Sequence, residues 1–301
     1  MFSLKRNIRT AALLITGAML AWSCGSEESA GTENGGGTAD PAKLYVVSFN
    51  IRVDNPSDGV HSWENRRDAA VAMVQQERPT VMGLQEAQPH QITWLTHHCP
   101  EYAWYGIGRD TGEVPPATES YASEESAAIF WLTSEVELLD KGTFWLSESP
   151  ATPSKGWDAA YNRTCTWGLF RHKASGKRFY YYNTHLDHSG KTAREESIKL
   201  IANMIVSRNE EGLPVVLSAD FNSNTSNAIF APLFDIMRDA RAMALESDDH
   251  FTFNNYGSST TTLDHIFYSG CIASQFRTLT GDYGAPYISD HYPIKALLIL
   301  P

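Results

Sequence analysis

The stretch Leu213-Pro-Val-Val-Leu-Ser-Ala-Asp-Phe-Asn222 decides the fold class of this chain. Its first part, Leu213 to Ala219, is almost entirely apolar, which predicts a strand buried on both faces. Asp220 and Asn222 stand directly at the end of that strand. A helical pattern over Thr192 to Arg208 precedes it, so a helix leads into a buried strand, and this order is typical of an α/β protein.

Strands outnumber helices along the rest of the chain. Strands are predicted over residues 43–50, 80–84, 102–107, 127–132, 136–146, 165–172, 178–184, 263–268, 276–280 and 292–300, and helices over 63–77 and 89–98. Many strands with a few helices predict two sheets packed face to face with helices outside. Three connections, residues 108–125, 147–163 and 221–260, are longer than ordinary loops and are predicted to carry function.

The composition of the 301 residues fits a folded, acidic protein. Hydrophobic residues make up 42% and charged residues 20%, which allows a sizeable core and excludes global disorder. Lys and Arg number 24 against 35 Asp and Glu, a formal charge of −11. This balance argues against a nonspecific nucleic-acid coat protein, which needs a basic face. It does not exclude an enzyme that grips one phosphate through a metal ion.

The first 23 residues are predicted to be a signal peptide. Lys5, Arg6 and Arg9 form a basic region, and the apolar run from Ala11 to Ala21 is too short to span a bilayer comfortably. The order Ala21-Trp-Ser-Cys24 resembles a bacterial lipoprotein cleavage site. The alternative is an ordinary secretory signal with an incidental cysteine.

Residues 24–39 are predicted to be a lipidated cysteine and a flexible tether, because acid follows Cys24 directly and residues 29–38 are rich in Gly, Ser and Thr. Residues 40–301 are predicted to form one catalytic domain, since neither a repeat nor a second linker interrupts them. The predicted location is the cell envelope, facing the periplasm or the cell surface, with the membrane as partner through the lipid anchor and no protein partner indicated. Cys99, Cys165 and Cys271 are interpreted as small buried hydrophobes.

Polar residues stand repeatedly at the ends of the predicted strands. They are Asn50, Glu86, Asn183, His185, Asp220, Asn222, Asp264, Asp290 and His291. Each alone has an ordinary reading as a turn former or surface group, but together they lie where active sites collect. Carboxylate and amide oxygens suit Mg²⁺ or Mn²⁺. The two histidines suit acid–base chemistry or phosphate contacts, and a zinc site is disfavoured because no close His pair shares one helix face.

Six short motifs in a fixed order resemble the motif series of the endonuclease/exonuclease/phosphatase superfamily. They are Ser48-Phe-Asn50, Gly83-Leu-Gln-Glu86, Asn183-Thr-His-Leu186, Ser218-Ala-Asp-Phe-Asn222, Leu263-Asp-His-Ile-Phe267 and Ser289-Asp-His-Tyr-Pro293. Three further segments are similar to a bacterial subgroup related in fold to deadenylases and neutral sphingomyelinases. These segments are Trp63-Glu-Asn-Arg-Arg67, Gly142-Thr-Phe-Trp-Leu-Ser147 and the region from Lys155 to Trp167.

The resemblance implies a four-layer α/β sandwich, two packed mixed β-sheets flanked by helices, with the site at one end of the sheets. It implies metal ligation by Glu86, with Asn50 beside it and Asp290 as a second carboxylate on the metal side. The remaining roles implied are attacking-water and phosphate placement by Asp220 and Asn222, phosphate contacts by His185 and His291, and orientation of His291 by Asp264. Asn183 and Arg163 are predicted to contact substrate. Whether Asp220 or His291 is the general base stays open, as does the number of metal ions.

Two departures from the family pattern concern substrate placement. Ser126 stands where relatives often have an aromatic or amide side chain, and Thr261-Thr-Leu-Asp264 lacks a basic residue often found before this Asp. Asp187 and His188 are extra polar groups that either line the pocket or form a solvated turn.

The predicted function is a metal-dependent phosphoester hydrolase, a phosphodiesterase or nuclease-like enzyme, acting outside the cytoplasm. The alternatives are a phosphomonoesterase on a small phosphorylated metabolite or lipid head group, a noncatalytic surface-binding lipoprotein, and a glycosidase, which would leave both histidines unexplained. A nuclease needs a basic, aromatic-lined groove. The candidate patch is Lys155, Trp157, Arg163, Trp167 and Arg171. The acidic charge favours a small phosphoester, a lipid head group or a short oligonucleotide as partner.

Overall fold

The central strand of the first sheet, β1 (Lys43–Asn50), pairs with strands from both ends of the chain. In the computed structural model, which describes residues 42–301, this sheet has six strands in the order β11-β12-β1-β2-β4-β3. The other members are β2 (Val81–Gln85), β3 (Tyr102–Tyr105), β4 (Ile129–Leu132), β11 (Ile272–Thr278) and β12 (Ile294–Ile299). Strand β1 runs parallel to β2 and antiparallel to β12, so the sheet is mixed.

The second sheet also has six strands, in the order β5-β6-β7-β8-β10-β9. These are β5 (Val136–Trp145), β6 (Thr164–His172), β7 (Arg178–His185), β8 (Val215–Asp220), β9 (Arg238–Asp239) and β10 (Asp264–Ser269). Strands β7 and β8 are parallel and the other pairs are antiparallel. The predicted strands and hairpins are present, with ends shifted by a few residues.

Helices cover the outer faces of both sheets. They are α1 (Trp63–Glu77), α2 (Pro89–His98), α3 (Lys191–Arg208), α4 (Ala231–Phe234) and α5 (Ala240–Met243), with 3₁₀ turns at Pro56–His61, Ala228–Phe230 and Asn255–Gly257. The alternation along β1 decides what packs where, because successive side chains of a strand point to opposite faces. Val46 belongs to the core between the sheets, whereas Val47 and Phe49 pack under α1 and α2. Ile198 and Ile201 of α3 cover the other sheet. The predicted four-layer sandwich is confirmed.

The two sheets approach each other closely at Gly83 of β2. A Cβ built on this residue would lie 2.3 Å from Oδ1 of Asn183 on β7, so a side chain here would push the sheets apart. The amide of Asn183 crosses this gap and donates to the backbone oxygens of Leu84 (2.7 Å) and Ala128 (3.0 Å). Below the site, therefore, the sheets are joined by hydrogen bonds as well as by apolar packing.

Several expectations concern the N-terminal residues or the cysteines. The predicted signal peptide and tether lie outside the described residues. Within residues 42–301, no helix is both long and apolar enough to cross a membrane. Cys99 and Cys165 are buried, Cys271 is half-buried, and all three are free thiols.

Candidate active site

The sheet topology brings the predicted polar residues to one end of the sandwich. Asn50 ends β1, and Glu86 follows the parallel neighbour β2. In the second sheet His185 is opposite Asp220 in the parallel pair β7 and β8. Asp264 begins the antiparallel strand β10 and is also opposite Asp220. Carboxyl ends of parallel strands share an edge, so these side chains converge.

Asn50 links the carboxylate of Glu86, the predicted metal ligand, to the carboxylate of Asp220. Its amide nitrogen donates to Oε1 of Glu86 (3.1 Å) and to Oδ2 of Asp220 (2.9 Å). Its amide oxygen accepts from the backbone N–H of Arg52 (3.0 Å). The side chain is buried, so its three hydrogen bonds fix how the two carboxylates face each other.

Glu86 is held in its ionised form. Its backbone has a φ of 61°, a left-handed conformation that turns the carboxylate toward the site. Burial opposes ionisation, but the Val53 N–H, the Asn50 amide and the charges of His291 and Arg52 outweigh it and lower the pKa of Glu86. The Val53 N–H donates to Oε2 over 3.0 Å.

Asp290 lies on the same side of the site. Its neighbour Ser289 donates to the backbone oxygen of Asn50 (2.7 Å), which fastens this segment to the end of β1. Arg52 Nη1 lies 3.6 Å from Oδ2 of Asp290. Burial raises the pKa of Asp290, and the nearby charge of Glu86 raises it further.

Arg66, in the Trp63–Arg67 segment, has a structural role next to the site. This side chain of α1 is buried and donates to the backbone oxygens of Ile51, Arg52 (2.8 Å) and Val53 (3.2 Å). It also reaches the backbone oxygen of Ile288, over 3.3 Å. One guanidinium therefore holds together the two loops that carry Arg52 and Asp290.

His291 is positioned by a carboxylate on each ring nitrogen. Nδ1 lies 2.8 Å from Oδ2 of Asp264, and Nε2 lies 3.6 Å from Oδ2 of Asp220. Burial alone would disfavour the imidazolium, but the charges of Asp264 and Asp220 raise the pKa of His291 well above its usual value. Burial and the charge of Asp264 raise the pKa of Asp220 to about 7, against the opposing charge of His291.

His185 has the opposite character. Burial, together with the charges of Arg163, Arg109 and His291, lowers the pKa of His185 well below its usual value. The Asn222 amide donates to Nε2 of His185 (3.0 Å) and to the backbone oxygen of Leu186 (2.9 Å). Nε2 therefore accepts, which leaves the proton of the neutral ring on Nδ1.

The acidic side of the site can hold a divalent cation. Ligand atoms of Glu86, His185 and Asp220 all lie within 4.8 Å of one another. The charge of Glu86 acts on the buried Asp290, and a cation between these carboxylates would relieve that repulsion. Oxygen donors predominate, as hard divalent ions require.

A cavity of about 480 Å³ opens above these residues. The arginines Arg109 and Arg163 define the cationic side of its lining, where His188, Glu125 and Tyr161 lie beside them. Arg109 Nη1 is 2.6 Å from Oε2 of Glu125. Burial raises the pKa of Glu125 to about 7, against the lowering effect of Arg109.

Residues 47–291 match the endonuclease/exonuclease/phosphatase family. This chain belongs to that family. Its members are phosphoester hydrolases, among them phosphatases and nucleases, and they generally use a divalent metal ion.

Three solved structures place the chain within the family. An endonuclease/exonuclease/phosphatase family protein of Bacteroides thetaiotaomicron is 33% identical, with a TM-score of 0.81 over 87% of this chain and 99% of that one. A mannosyl-6-phosphatase of the same organism is 34% identical, with a TM-score of 0.79 over 85% of this chain and 100% of that one. TDP2 of D. rerio, in complex with a single-strand DNA product, is 18% identical with a TM-score of 0.65, over 85% of this chain and 99% of that one, and shares the fold.

Most of the predicted site residues meet at this one place. The cavity is lined by Glu86, Arg163, His185, Asp220, Asn222, Asp290 and His291, and Asn50 and Asp264 support it from below.

Asn183 is the exception and corrects a prediction. It is fully buried between the sheets, where its oxygen accepts from Gln85 Nε2 (2.7 Å) and Ser218 Oγ (3.1 Å). Its side chain therefore binds the other sheet and does not reach the cavity. Asn183 and His185 share one face of β7, but Asn183 lies two residues further from the strand end, between the sheets, whereas His185 ends the strand at the mouth of the cavity.

Asp187 is neither a pocket residue nor a solvated turn. It is buried and accepts from Arg163 Nε (3.3 Å) and from the backbone N–H groups of Tyr161 (3.2 Å) and Gly190 (2.8 Å). It thereby fixes the loop that carries the cationic side of the cavity. His188, by contrast, lines the cavity.

The candidate nucleic-acid patch does not form. Arg163 precedes β6 at the cavity, whereas Arg171 lies near the far end of that strand, roughly 26 Å away at about 3.3 Å per residue, and pairs with Glu137. Trp167 between them is buried. These residues offer no continuous groove to a polyanion.

Sequence reasoning missed Arg52, Arg109, Glu125 and Tyr161 as cavity residues. Arg109 and Glu125 lie in the loop over residues 108–125. Gly, Pro and Glu are abundant in this loop, and no periodicity indicates which side chains face the protein. The usable signal was the length of the loops, which indicated function without naming residues.

Proposed function

We propose that this protein is a metal-dependent phosphomonoesterase that acts on a small phosphorylated molecule. The observation that carries the proposal is the central Asp220, with a histidine nitrogen 3.5 Å away on one side (His185) and another 3.6 Å away on the other (His291). This arrangement opens onto a cavity of about 480 Å³ whose lining includes the carboxylates of Glu86 and Asp290 and the arginines Arg109 and Arg163.

Asp220 is the proposed general base. Its raised pKa of about 7 suits proton transfer near neutral pH, whereas the charges of Asp264 and Asp220 favour the protonated form of His291, which cannot accept a proton. Asp220 takes one proton from the attacking water while the water oxygen forms its bond to phosphorus and the bond from phosphorus to the ester oxygen breaks. The released alkoxide takes a proton from solvent and leaves as the alcohol. The Asn222 backbone N–H, 2.8 Å from Oδ1 of Asp220, holds the carboxylate in position.

The two histidines stabilise the phosphoryl group in different ways. The charged His291 lies beside the negative charge that grows on the phosphoryl oxygens in the transition state. The neutral His185 offers its Nδ1–H, which is buried and has no partner among the described residues. Glu86 and Asp290 would hold the cation, with Asn50 orienting Glu86. Mg²⁺ or Mn²⁺ fits these oxygen donors, and when bound it supplies Lewis-acid polarisation of a phosphoryl oxygen.

A monoester is favoured over a polynucleotide or another long diester. Arg163 lines a cavity of about 480 Å³, where it can meet a compact, doubly charged phosphate. The basic patch expected of a nuclease does not form, and the chain as a whole is acidic. The 34% identity to a mannosyl-6-phosphatase, over the full length of that protein, supports the same choice.

We further propose that the protein works outside the cytoplasm as an envelope lipoprotein acylated at Cys24. The support comes from the basic region, the short apolar run and the Gly/Ser/Thr-rich segment at the N-terminus.

The test is hydrolysis of a phosphoester panel by the purified domain with Mg²⁺, with Mn²⁺ and with chelator. The panel contains p-nitrophenyl phosphate, bis-p-nitrophenyl phosphate, mannose 6-phosphate, sphingomyelin and single-stranded DNA and RNA. We expect metal-dependent cleavage of the monoesters and at least tenfold lower kcat/KM on the diesters. A preference for any diester would contradict the monoester proposal.

The Glu86→Gln variant tests the metal site directly. It removes one negative charge at constant shape, so we expect weaker Mn²⁺ binding by calorimetry and a large loss of kcat. The matched control is Glu137→Gln, an exposed glutamate on β5 away from the cavity. Full activity of Glu86→Gln in chelator would show that the metal proposal is wrong.

A further inference from the structure

A small recess branches from the cavity beside the phosphate side of the site. It is lined by Arg109, Glu125 and Ser126, together with Glu86 and His185, which it shares with the main cavity. Its free volume is about 10 Å³, room for one oxygen-sized group.

Polar atoms in this recess lack protein partners. Among residues 42–301, Ser126 Oγ and Arg109 Nε are buried without a hydrogen bond, and the nearest carboxylate oxygen to Arg109 Nε outside its Glu125 pair is Oδ2 of Asp110 at 3.6 Å. Arg109 Nε lies beside the exposed Asp110, whereas Ser126 Oγ has no such neighbour in the described part of the chain. Buried polar groups normally find partners, so this unpaired hydroxyl at the recess indicates a group that comes from outside the protein.

Arg109 and Glu125 offer a donor and an acceptor side by side. Their 2.6 Å ion pair lines the cavity, and its two charges largely cancel. Such a pair matches a hydroxyl group, which both donates and accepts. A second phosphate or a carboxylate on the substrate would meet the charge of Glu125.

Tyr161 provides an apolar face next to this pair. Its side chain is 51% exposed, and the Arg109 guanidinium lies 5.0 Å from the ring centroid. Asp187 accepts from its backbone N–H, so the ring stands on a fixed loop. An exposed aromatic ring beside paired hydroxyl-binding groups suits the C–H face of a sugar-like ring.

We propose that the part of the cavity bounded by Arg109, Glu125, Ser126 and Tyr161 is a subsite for a polyhydroxylated leaving group. The substrates are then phosphomonoesters of sugar-like polyols. This inference rests on the proposed monoesterase activity and names the substrate class for it.

The Ser126→Ala variant is the sharpest test, because the hydroxyl it removes binds nothing in the protein. We compare kcat/KM for mannose 6-phosphate with that for phenyl phosphate, which has no hydroxyl groups. We expect the ratio to fall about three- to tenfold, the usual worth of one uncharged hydrogen bond. For Glu125→Gln we expect a fall of roughly ten- to a hundredfold, with Glu137→Gln as the control that leaves the ratio unchanged. Circular dichroism checks that each variant is folded.

The outcomes separate this inference from the proposed function. If the wild type cleaves phenyl phosphate and both variants lower kcat/KM equally for the two substrates, the subsite proposal is wrong and the monoesterase proposal stands. A wild-type preference for phenyl phosphate over mannose 6-phosphate would also overturn the subsite. If the wild type cleaves no monoester, the proposed function fails. The subsite is then judged by calorimetry with mannose 6-phosphate, where equal affinity for wild type and Ser126→Ala contradicts it.

Discussion

Two histidines flank one carboxylate oxygen of Asp220 and yet carry different charges. His291 has Asp264 on its other nitrogen, whereas His185 has the Asn222 amide on Nε2 and arginines nearby. The difference comes entirely from the neighbours of the two rings. Because of this difference, the charged His291 can stabilise negative charge on the phosphoryl group, and the neutral His185 can donate an N–H.

We expect His185→Ala and His291→Ala each to lower kcat by roughly 10²–10⁴-fold, the range for positioned acid–base groups. His97→Ala, which removes an exposed imidazole, is the control. Steady-state kinetics on p-nitrophenyl phosphate measures the effect. Near wild-type kcat in either histidine variant would refute their convergence on one phosphate.

Asp264→Asn should shift the pH–rate profile. The charge of Asp264 raises the pKa of both His291 and Asp220, so its removal lowers both. Activity rises as Asp220 loses its proton and falls as His291 loses its own. Both limbs therefore move to lower pH, with a smaller loss of kcat than in His291→Ala. If neither limb of the pH–rate profile moved, Asp264 would not be the group that raises these two pKa values.

At the scale of elements, the strand ends were predictable and the loops were not. A polar residue after an apolar strand marks an edge of a sheet, and this located Glu86 and Asp220. The predicted substrate contact of Asn183 was wrong because one sequence does not show which strand faces this residue across the sandwich. Glu125 and Arg109 come together only when the long loop folds back, and no local pattern encodes that contact.

The loop on the cationic side depends on Asp187. We expect Asp187→Asn to destabilise the domain by roughly 3 kcal/mol at pH 7, because it leaves the buried Arg163 without its counter-charge. Urea unfolding measures this, with the exposed Asp140→Asn as control.

The pH dependence of this difference has a defined sign. Burial opposes ionisation of Asp187, but backbone N–H groups and Arg163 lower its pKa below the ordinary value. Its stabilisation is therefore complete above the unfolded pKa, about 4, and is lost as the pH falls toward the folded value. The gap between wild type and Asp187→Asn should be the same at pH 7 and 5 and smaller at pH 3. A gap that widened in acid would contradict this account.

At the scale of the whole molecule, the open question is where the enzyme is held. We expect Cys24→Ser to move the full-length protein from membrane to soluble fractions, because it removes the proposed acylation site. Cys271→Ser, which changes a thiol inside the domain, should leave the distribution unchanged. Membrane partition of Cys24→Ser equal to wild type, in fractionated cells, would argue against the anchor.

The place of β12 has a consequence for biosynthesis. This last strand lies between β1 and β11, so the first strand of the domain stays unpaired on one side until the final residues have been made. Asp290 and His291 precede β12 and reach the site only when it docks. A nascent chain therefore cannot complete its first sheet or its active site before β12 has been made. For a precursor with the predicted signal peptide, we expect this delay to keep the polypeptide unfolded, and therefore inactive, until it has been exported.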